Sequence, residues 1–524
     1  MTPAPKQIES QSLKRISLSR NVMFGFFSWL LPLGFTFVLT PVIVHGLGVE
    51  SYGIYALVMG FVAYSFTFNV GRAITKYVAA YHANNQTERI GEVLSNTLMI
   101  NLVVGVLSAS VLALSANVLV TRVLKIAPAL QAHTRLAFYL ASIGLLFTMI
   151  SQVFSAVPQA VHRFDVFALI TTIVGILTIG GNGLLVWFGY GAVVLVGWTA
   201  GVTGLSCLIY FLASRSLLPE AHLTFRLKKD LLAGILRFSS AVIAYQIMAN
   251  MLLLFERGWL TRTLGAAAVT FYVVPMQMGI YIHAFISSLT LVMFPLASEA
   301  DAKKDLIRLR QIYTRSYKYI SLLVLFLVVT MAVGSQRILM NWMGPEFAMR
   351  SSGVLAIQAV VFGLIAWGIV AWQMSDGFGR PGRNALLVLA WIIIAVPIMI
   401  WLTPTHGVVG MAFGRLASVL TIPVYVLLTE RVIFGKCLWE FWRRTALLLL
   451  LAGVVLAGAQ EILFYKLPGG WFWLLISVGF SGACYLGVLL IVGYLDKDER
   501  TWLRQLTARF TGSFRAQDLS ERPG

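Results

Sequence analysis

Uncharged, apolar runs of about 17 to 25 residues, each bounded by a short polar or Gly/Pro break, recur along almost the whole chain. A helix rises about 1.5 Å per residue, so a run of this length crosses the ~30 Å hydrocarbon layer of a bilayer. A membrane barrel would instead show segments of about ten residues with alternating polarity. The pattern predicts fourteen helical spans, at 22-44, 53-71, 95-119, 136-158, 166-188, 191-213, 237-256, 266-297, 318-336, 351-374, 385-402, 407-429, 445-465 and 471-494. The expected fold class is an all-α polytopic membrane protein. The first run is long and lacks a small-residue cleavage site, so it is expected to remain as a span.

Composition agrees. Of 524 residues, 58% are hydrophobic and only 12% charged, with a mean hydropathy of +0.82. That is too little polar surface to cover a soluble globule. A net charge of +19 raises nucleic acid as a partner, but the placement of the charge argues against it. With the amino terminus assigned to the cytoplasm, 31 of the 40 lysines and arginines fall in cytoplasmic loops and tails. This asymmetry follows the positive-inside rule, with both termini cytoplasmic, and reports topology and anionic-lipid contact. Cys207, Cys437 and Cys484 show no metal-ligand spacing and imply no disulfide framework.

The chain also repeats. At an offset of 217 residues Arg20 maps to Arg237, Leu47-Gly48 to Leu264-Gly265, Tyr55 to Tyr272, Thr97 to Thr314 and Arg163 to Arg380, with a one-residue slip by Gly191 and Gly407. Six spans separate the copies, an even number, so both have the same orientation and an axis along the membrane normal relates them. Two pseudo-symmetric six-helix bundles are expected, at 1-214 and 237-430, joined by a basic cytoplasmic linker at 215-236. Two extra spans at 431-495 and an amphipathic cytoplasmic tail at 496-524 follow. Trp502, Leu506 and Phe510 share one face of that tail, and the segment from Asp301 to Lys318 is similarly amphipathic; both read as interfacial anchors.

Polar residues inside the spans fall in stripes. Ser65, Asn69, Arg72 and Lys76 recur at i, i+4, i+7 and i+11, one face of a continuous helix. Gln246, Asn250 and Arg257 repeat that spacing in the seventh span; Gln277, Tyr281 and Ser288 do so in the eighth; Ser28, Pro32, Thr36 and Thr40 form a row in the first. Hydroxyls and amides of this kind hydrogen-bond a polar cargo and tolerate water. They equally serve as polar glue between packed helices, and Arg72 and Lys76 equally suit the headgroup layer. Arg415 lies about 12 Å into the twelfth span. A guanidinium cannot be neutralised there, so it needs water, an anionic substrate or a structural partner. Glu256 and Arg257 close the seventh span, where adjacent residues point apart and long side chains snorkel to the headgroups. Asp165 and Asp376 sit at cytoplasmic span ends, which leaves little support for ion coupling through a buried carboxylate.

The stretch from Leu47 to Tyr81, with Gly48, Tyr52-Gly53, Tyr55, Asn69-Val70-Gly71 and Ala79-Ala80-Tyr81, resembles the start of the polysaccharide-biosynthesis flippases, the Wzx-like oligosaccharide exporters. Their superfamily also holds the multidrug and toxin extrusion antiporters and the lipid II flippases. Many members of the family carry an Asp where this chain has Asn69, so no carboxylate role carries over there. The resemblance implies a substrate cavity lined by spans 1, 2, 7 and 8, and a lipid-linked oligosaccharide on polyprenyl pyrophosphate as the cargo. It places the protein in a bacterial inner membrane, beside membrane lipids and a polysaccharide polymerase or other export components. Arg72 and Lys76 would then capture the pyrophosphate.

Other motifs do not carry chemistry. Gly377, Gly379 and Gly382 match G-x-G-x-x-G but lack a preceding strand. Gly197 and Gly201 match G-x-x-x-G, which reads as close helix packing. The seven histidines are scattered, and no nucleophile elbow, P-loop or carboxylate pair is present, so no catalytic residue, metal or cofactor is assigned. The expected function is a flippase working by alternating access. A drug or cation antiporter would want intramembrane carboxylates; a glycan polymerase or ligase would want a large external loop.

Overall fold

Hydrocarbon offers no hydrogen-bond partner, so a chain crossing it satisfies its amides within each segment, and these apolar runs must coil into helices. A computed structural model describes residues 31–64, 71–84, 86–223, 229–290, 293, 305–494 and 499, apart from the side chains of Arg72, Ala73, Lys76 and residues 229–243. Among the described residues all regular structure is helical. Ten helices are long and apolar enough to cross a membrane, and two shorter apolar helices, Leu31–Leu47 and Val49–Tyr64, accompany them. The chain is therefore an all-α, multi-pass membrane protein. One of the ten, Gly382–Phe434, spans 53 residues and is not a single rod, as shown below.

The helices fall into two compact units. Unit 1 draws on Met1–Pro275 and Gly379–Thr421. It contains α1 (Leu31–Leu47), α2 (Val49–Tyr64), α3 (Gly71–Ala83), α4 (Thr87–Val118), α5 (Pro128–Ala160), α6 (Phe164–Trp187), α7 (Ala192–Leu217) and α8 (Lys229–Leu264). It also holds the start of α9 (Ala266–Leu289) and, after α10 to α12, α13 (Gly382–Val419). Unit 2 draws on Met276–Phe378 and Ile422–Gly524. It contains the rest of α9, α10 (Leu306–Val333), α11 (Ser335–Met343), α12 (Pro345–Gly377), α14 (Ile422–Phe434), α15 (Trp439–Lys466) and α16 (Trp471–Ile491).

Several landmarks of the 217-residue offset coincide with helix ends. α5 and α12 are both 33 residues long and both open on a proline in the first turn, Pro128 and Pro345, at the 217-residue offset. Proline suits that position because its amide would be unpaired there anyway. Each is followed two residues later by a left-handed residue, His162 (φ 60°) or Gly379 (φ 65°). The turn between α1 and α2 uses Gly48 (φ 78°) and the turn between α8 and α9 uses Gly265 (φ 87°), a conformation that costs glycine nothing.

Within unit 1, α5 and α7 approach closely because small residues face each other. A Cβ added at Gly144 would come 3.2 Å from the Ala200 Cβ, whereas one at Gly197 would meet only the Leu140 tip at 3.4 Å and one at Gly201 nothing. The G-x-x-x-G glycines thus frame the contact and Ala200 makes it. Buried polar groups pin the same helices: Ser214 donates to the Phe154 carbonyl at 3.0 Å, and Asn101 on α4 donates to the Met149 carbonyl at 3.0 Å. The core behind them is Leu57, Val58, Val120, Leu124, Phe138 and Leu145. Each such buried side chain contributes about 1.5–3 kcal/mol relative to water.

α13 folds back on itself. Gly407 (φ 62°, ψ −144°) breaks the helix between Pro404 and Met411. Beyond it the chain runs antiparallel to its first half, with Gly410 against the Leu402 carbonyl and Gly414 against Met399. Trp391 donates to Thr421 Oγ1 at 3.1 Å and closes this hairpin. The break falls where the apolar pattern separated the eleventh and twelfth spans.

In unit 2, α15 and α16 are fastened to α10. Gln460 donates to Thr330 Oγ1 at 3.0 Å, Tyr485 to the Leu322 carbonyl at 3.0 Å and Tyr494 to the Lys318 carbonyl at 2.7 Å. Arg337 caps the end of α15 by donating to the carbonyls of Phe464, Leu467 and Pro468. The expectation of an interfacial anchor at Asp301–Lys318 needs correction. From Leu306 onward this segment is the start of α10, continuous to Val333. Its apolar stripe of Leu309, Tyr313 and Tyr317 is buried in the protein, so amphipathicity here reflects a protein-facing side. Trp502, Leu506 and Phe510 lie outside the described residues.

Candidate substrate-recognition site

The polar interior of unit 1 centres on three charged side chains. Glu256 and Arg257 lie side by side on α8, and Arg415 comes from the arm of α13 that follows the Gly407 break. Arg415 Nη1 donates to Glu256 Oε1 at 3.1 Å, with Glu256 fully buried and Arg415 6% exposed. Arg257 is also buried; it donates to the Leu253 carbonyl at 3.0 Å, and its guanidinium lies 4.8 Å from the centre of the Tyr64 ring. Thr261 donates to the Arg257 carbonyl at 2.8 Å. The Tyr272 hydroxyl on α9 is buried near the Glu256 carboxylate. The snorkelling expected of Glu256 and Arg257 is therefore corrected: α8 runs on for two turns to Leu264, and packing against the neighbouring helices holds both side chains inside. Of the options open to Arg415, it takes the structural partner.

Local sequence makes room for this. A Cβ at Gly60 on α2 would sit 2.7 Å from Arg257 Cδ and 2.9 Å from its Nε, so only glycine lets the arginine lie along that helix. At Gly53, one helical stretch earlier, a Cβ would strike the Ala266 carbonyl oxygen, which brings α2 against the start of α9. Thr270 then donates to the Val49 carbonyl at 2.5 Å.

At the counterparts of Tyr272 and Arg415 the offset places Tyr55 and Thr199, bridged by Asn182, whereas Glu256 itself corresponds to Leu39. Tyr55, the counterpart of Tyr272, is bonded by Asn182 Nδ2 at 3.0 Å, and the same amide reaches Thr199 Oγ1 at 3.3 Å. With the one-residue slip, Thr199 is the counterpart of Arg415. Neutral hydroxyls and an amide pack the first junction, and the residues at the positions of Glu256, Arg257 and Arg415 are uncharged there.

The remaining expected residues are distributed as follows. Gln246 and Asn250 are half-buried on α8, in register with Arg257. Gln277 and Tyr281 are half-buried on α9 in unit 2, one turn apart. Ser65 and Asn69 lie outside the described residues; Arg72 and Lys76 are on α3, with side chains also outside them. The row in α1 is internally satisfied: Thr36 donates to the Pro32 carbonyl at 2.7 Å and Thr40 to the Thr36 carbonyl at 2.6 Å. Asp165 is an exposed partner of Arg163 at 2.9 Å. Among the described residues no group of histidines, cysteines and carboxylates is placed to hold a metal.

A second buried carboxylate was not anticipated. Glu430 on α14 is fully buried in unit 2. It accepts from the Tyr313 hydroxyl at 3.1 Å, the Leu438 amide at 2.9 Å and the Trp442 indole at 2.8 Å. In sequence it stands beside Arg431 at the end of an apolar run and looks like one half of a headgroup pair. The aromatic spacing Tyr313-Tyr317 was the available hint, since both rings close over it with Trp367 and Trp442.

Comparisons with known proteins fit this architecture. A model of the family described as polysaccharide biosynthesis protein matches residues 18–301. A putative O-antigen transporter of Shigella flexneri is 20% identical over 403 residues, covering 76% of this chain and 94% of the relative. Among solved structures, an inward-facing multidrug resistance MATE family transporter of the MOP superfamily superimposes with a TM-score of 0.67 at 16% identity, covering 78% of this chain and 98% of the other. The lipid II flippase MurJ in an inward closed conformation gives a TM-score of 0.66 at 14% identity, covering 90% and 98%. At these identities the structural likeness establishes the fold. All three relatives are transporters by name, and none is an enzyme.

Proposed function

The chain belongs to the polysaccharide biosynthesis protein family, and on that premise we propose that it is a flippase moving a lipid-linked oligosaccharide across the cytoplasmic membrane by alternating access. The cargo is a sugar chain on an anionic polyprenyl pyrophosphate. Such an amphiphile needs a polar path for its sugars across ~30 Å of hydrocarbon and cationic groups for its phosphates. The similarity to a putative O-antigen transporter supports this cargo class, and the MurJ-like fold suits a lipid-borne one.

The observation that carries the reading is the sign of the buried charge in unit 1. Two buried arginines stand against one carboxylate: Arg415 pairs with Glu256 and Arg257 lies over the Tyr64 ring, at positions whose counterparts in the first copy, Thr199, Leu39 and Thr40, are uncharged. A fixed positive excess in a low-dielectric interior favours an anionic cargo and opposes a cationic drug. Gln246 and Asn250, in register with Arg257, supply amides for sugar hydroxyls; Gln277 and Tyr281 do the same from α9. Arg72 and Lys76 on α3 capture the pyrophosphate at the cytoplasmic face.

The organisation we propose has fourteen passes, counting the two arms of α13 separately and adding α8. Two repeat-related halves, at 1-214 and 237-430, alternate their access. The matching bounds of α5 and α12 and the paired glycines 48 and 265 support that division. Both termini are cytoplasmic. The experiment is complementation of a strain lacking its oligosaccharide flippase, reading surface polysaccharide. Arg257→Gln is expected to abolish display at normal membrane abundance, and wild-type display by that variant would remove the charge argument.

A further inference from the structure

The end of unit 2 where α10 and α15 begin contains two adjoining cavities apart from the Glu256 cluster. The larger, about 550 Å³, is lined by Arg310, Gln311, Thr314 and Lys436, with Phe434 and Phe441 as its walls. The smaller, about 270 Å³, shares Gln311, Thr314 and Phe441 and adds Arg315, Lys318 and Arg444. Among the described residues no carboxylate lines either cavity, and Glu440 lies in a separate one beside Trp439. Glu499 pairs with Lys318 at 2.7 Å, Asp305 accepts the Arg308 amide at the start of α10, and Glu430 is buried behind the wall with its three donors. Arg310, Arg315, Lys436 and Arg444 therefore leave the cavities with a positive excess. Gln311 and Thr314 add neutral hydrogen-bonding groups in the same wall.

The rim is apolar. Leu306 and Ile307, which line the larger cavity on the α10 side, are exposed. A soluble anion gains nothing from such a rim, whereas the acyl chains of a lipid do. A cationic pocket with an apolar lip is the arrangement that seats a protein end at the headgroup layer. We infer that these cavities form a binding site for the phosphate headgroup of an anionic lipid, separate from the oligosaccharide path. The arginine forks grip phosphate oxygens, Lys436 supplies charge, and the tails lie along Leu306 and Ile307. Because α10 anchors α15 and α16, a lipid seated here ties that helix trio to one leaflet.

The test is native mass spectrometry of the delipidated full chain titrated with phosphatidylglycerol. Arg310→Gln/Arg444→Gln is compared with Arg215→Gln/Arg380→Gln, a pair of equal charge loss at exposed positions outside the cavities. The first pair is expected to weaken binding about tenfold or more, as the loss of two cations at a headgroup implies, and the second to leave it unchanged. Arg310→Lys/Arg444→Lys, which keeps the charge but lacks the forks, is expected to bind between the wild type and the glutamine pair and covers the case in which the glutamine pair folds poorly. Inorganic pyrophosphate at millimolar concentration is expected not to displace the lipid. Equal weakening by both glutamine pairs would overturn the site, and displacement by pyrophosphate would reassign it to a soluble phosphate and end the lipid proposal.

Discussion

Glu256→Gln is the most informative single change in the buried cluster, because the structure predicts an order of effects as well as a direction. At 3.1 Å, two unit charges attract by roughly 5 kcal/mol at an effective dielectric of about 20. Desolvation offsets most of this, so the net worth of the pair is small. Breaking the pair is another matter: one partner left buried and uncompensated costs about 3–5 kcal/mol. That is roughly two to three and a half powers of ten in the unfolding constant. The cluster is asymmetric. Glu256→Gln leaves Arg257 and Arg415 without a counter-charge, whereas Arg415→Gln leaves Glu256 with Arg257 still beside it. The expected order of thermal stability in detergent is wild type, then Arg415→Gln, then Glu256→Gln. The double variant Glu256→Gln/Arg415→Gln should recover part of the Glu256→Gln loss, since two amides can satisfy each other. Thermal unfolding followed by circular dichroism reads all four proteins. Equal shifts for the two single variants that simply add in the double variant would refute the pairing.

Further outcomes are expected at other positions. Gly60→Ala places a methyl 2.7 Å from Arg257 Cδ; it should cost about 1–3 kcal/mol and reduce polysaccharide display, while Gly458→Ala, with open space around it, should change neither. Gly407→Ala forces a side chain into a backbone region reserved for glycine, a cost of about 1–3 kcal/mol, seen as a lower melting temperature than Gly382→Ala. Arg72→Ala should reach the membrane and lose export, with Arg72→Lys recovering only part because an ammonium lacks the guanidinium fork. Asp165→Asn and Asp376→Asn should flip cargo at the wild-type rate under an imposed pH or sodium gradient, and a loss in either would identify an ion carrier.

Much of the fold was legible because lipid leaves few choices: long apolar runs must be helices, and the period of the landmarks gave the repeat. Gly407 and the turns at Gly48 and Gly265 were visible as breaks for the same reason. The site was only partly legible. Arg415 stood out because a guanidinium inside a span demands a partner, but periodicity along one helix does not reveal what another brings. Glu256 and Arg257 sat at the end of an apolar run, where headgroup contact and burial under a neighbouring helix look alike in sequence. Glu430 was hidden by the same ambiguity, and the stripe from Asp301 to Lys318 was misread as lipid-facing because amphipathicity reports an apolar side without saying what covers it. The row in α1 shows the converse, since Thr36 and Thr40 spend their hydroxyls on their own helix.

The central claim is that the interior charge serves an anionic, lipid-borne sugar. Its most direct test uses purified protein in proteoliposomes, with a polyprenyl pyrophosphate oligosaccharide on one leaflet and a membrane-impermeant lectin or glycosidase reporting the other. The account predicts protein-dependent appearance of the sugar that Arg257→Gln abolishes, with no transport of a cationic dye under the same gradients. Dye transport with no movement of the lipid-linked sugar would contradict it.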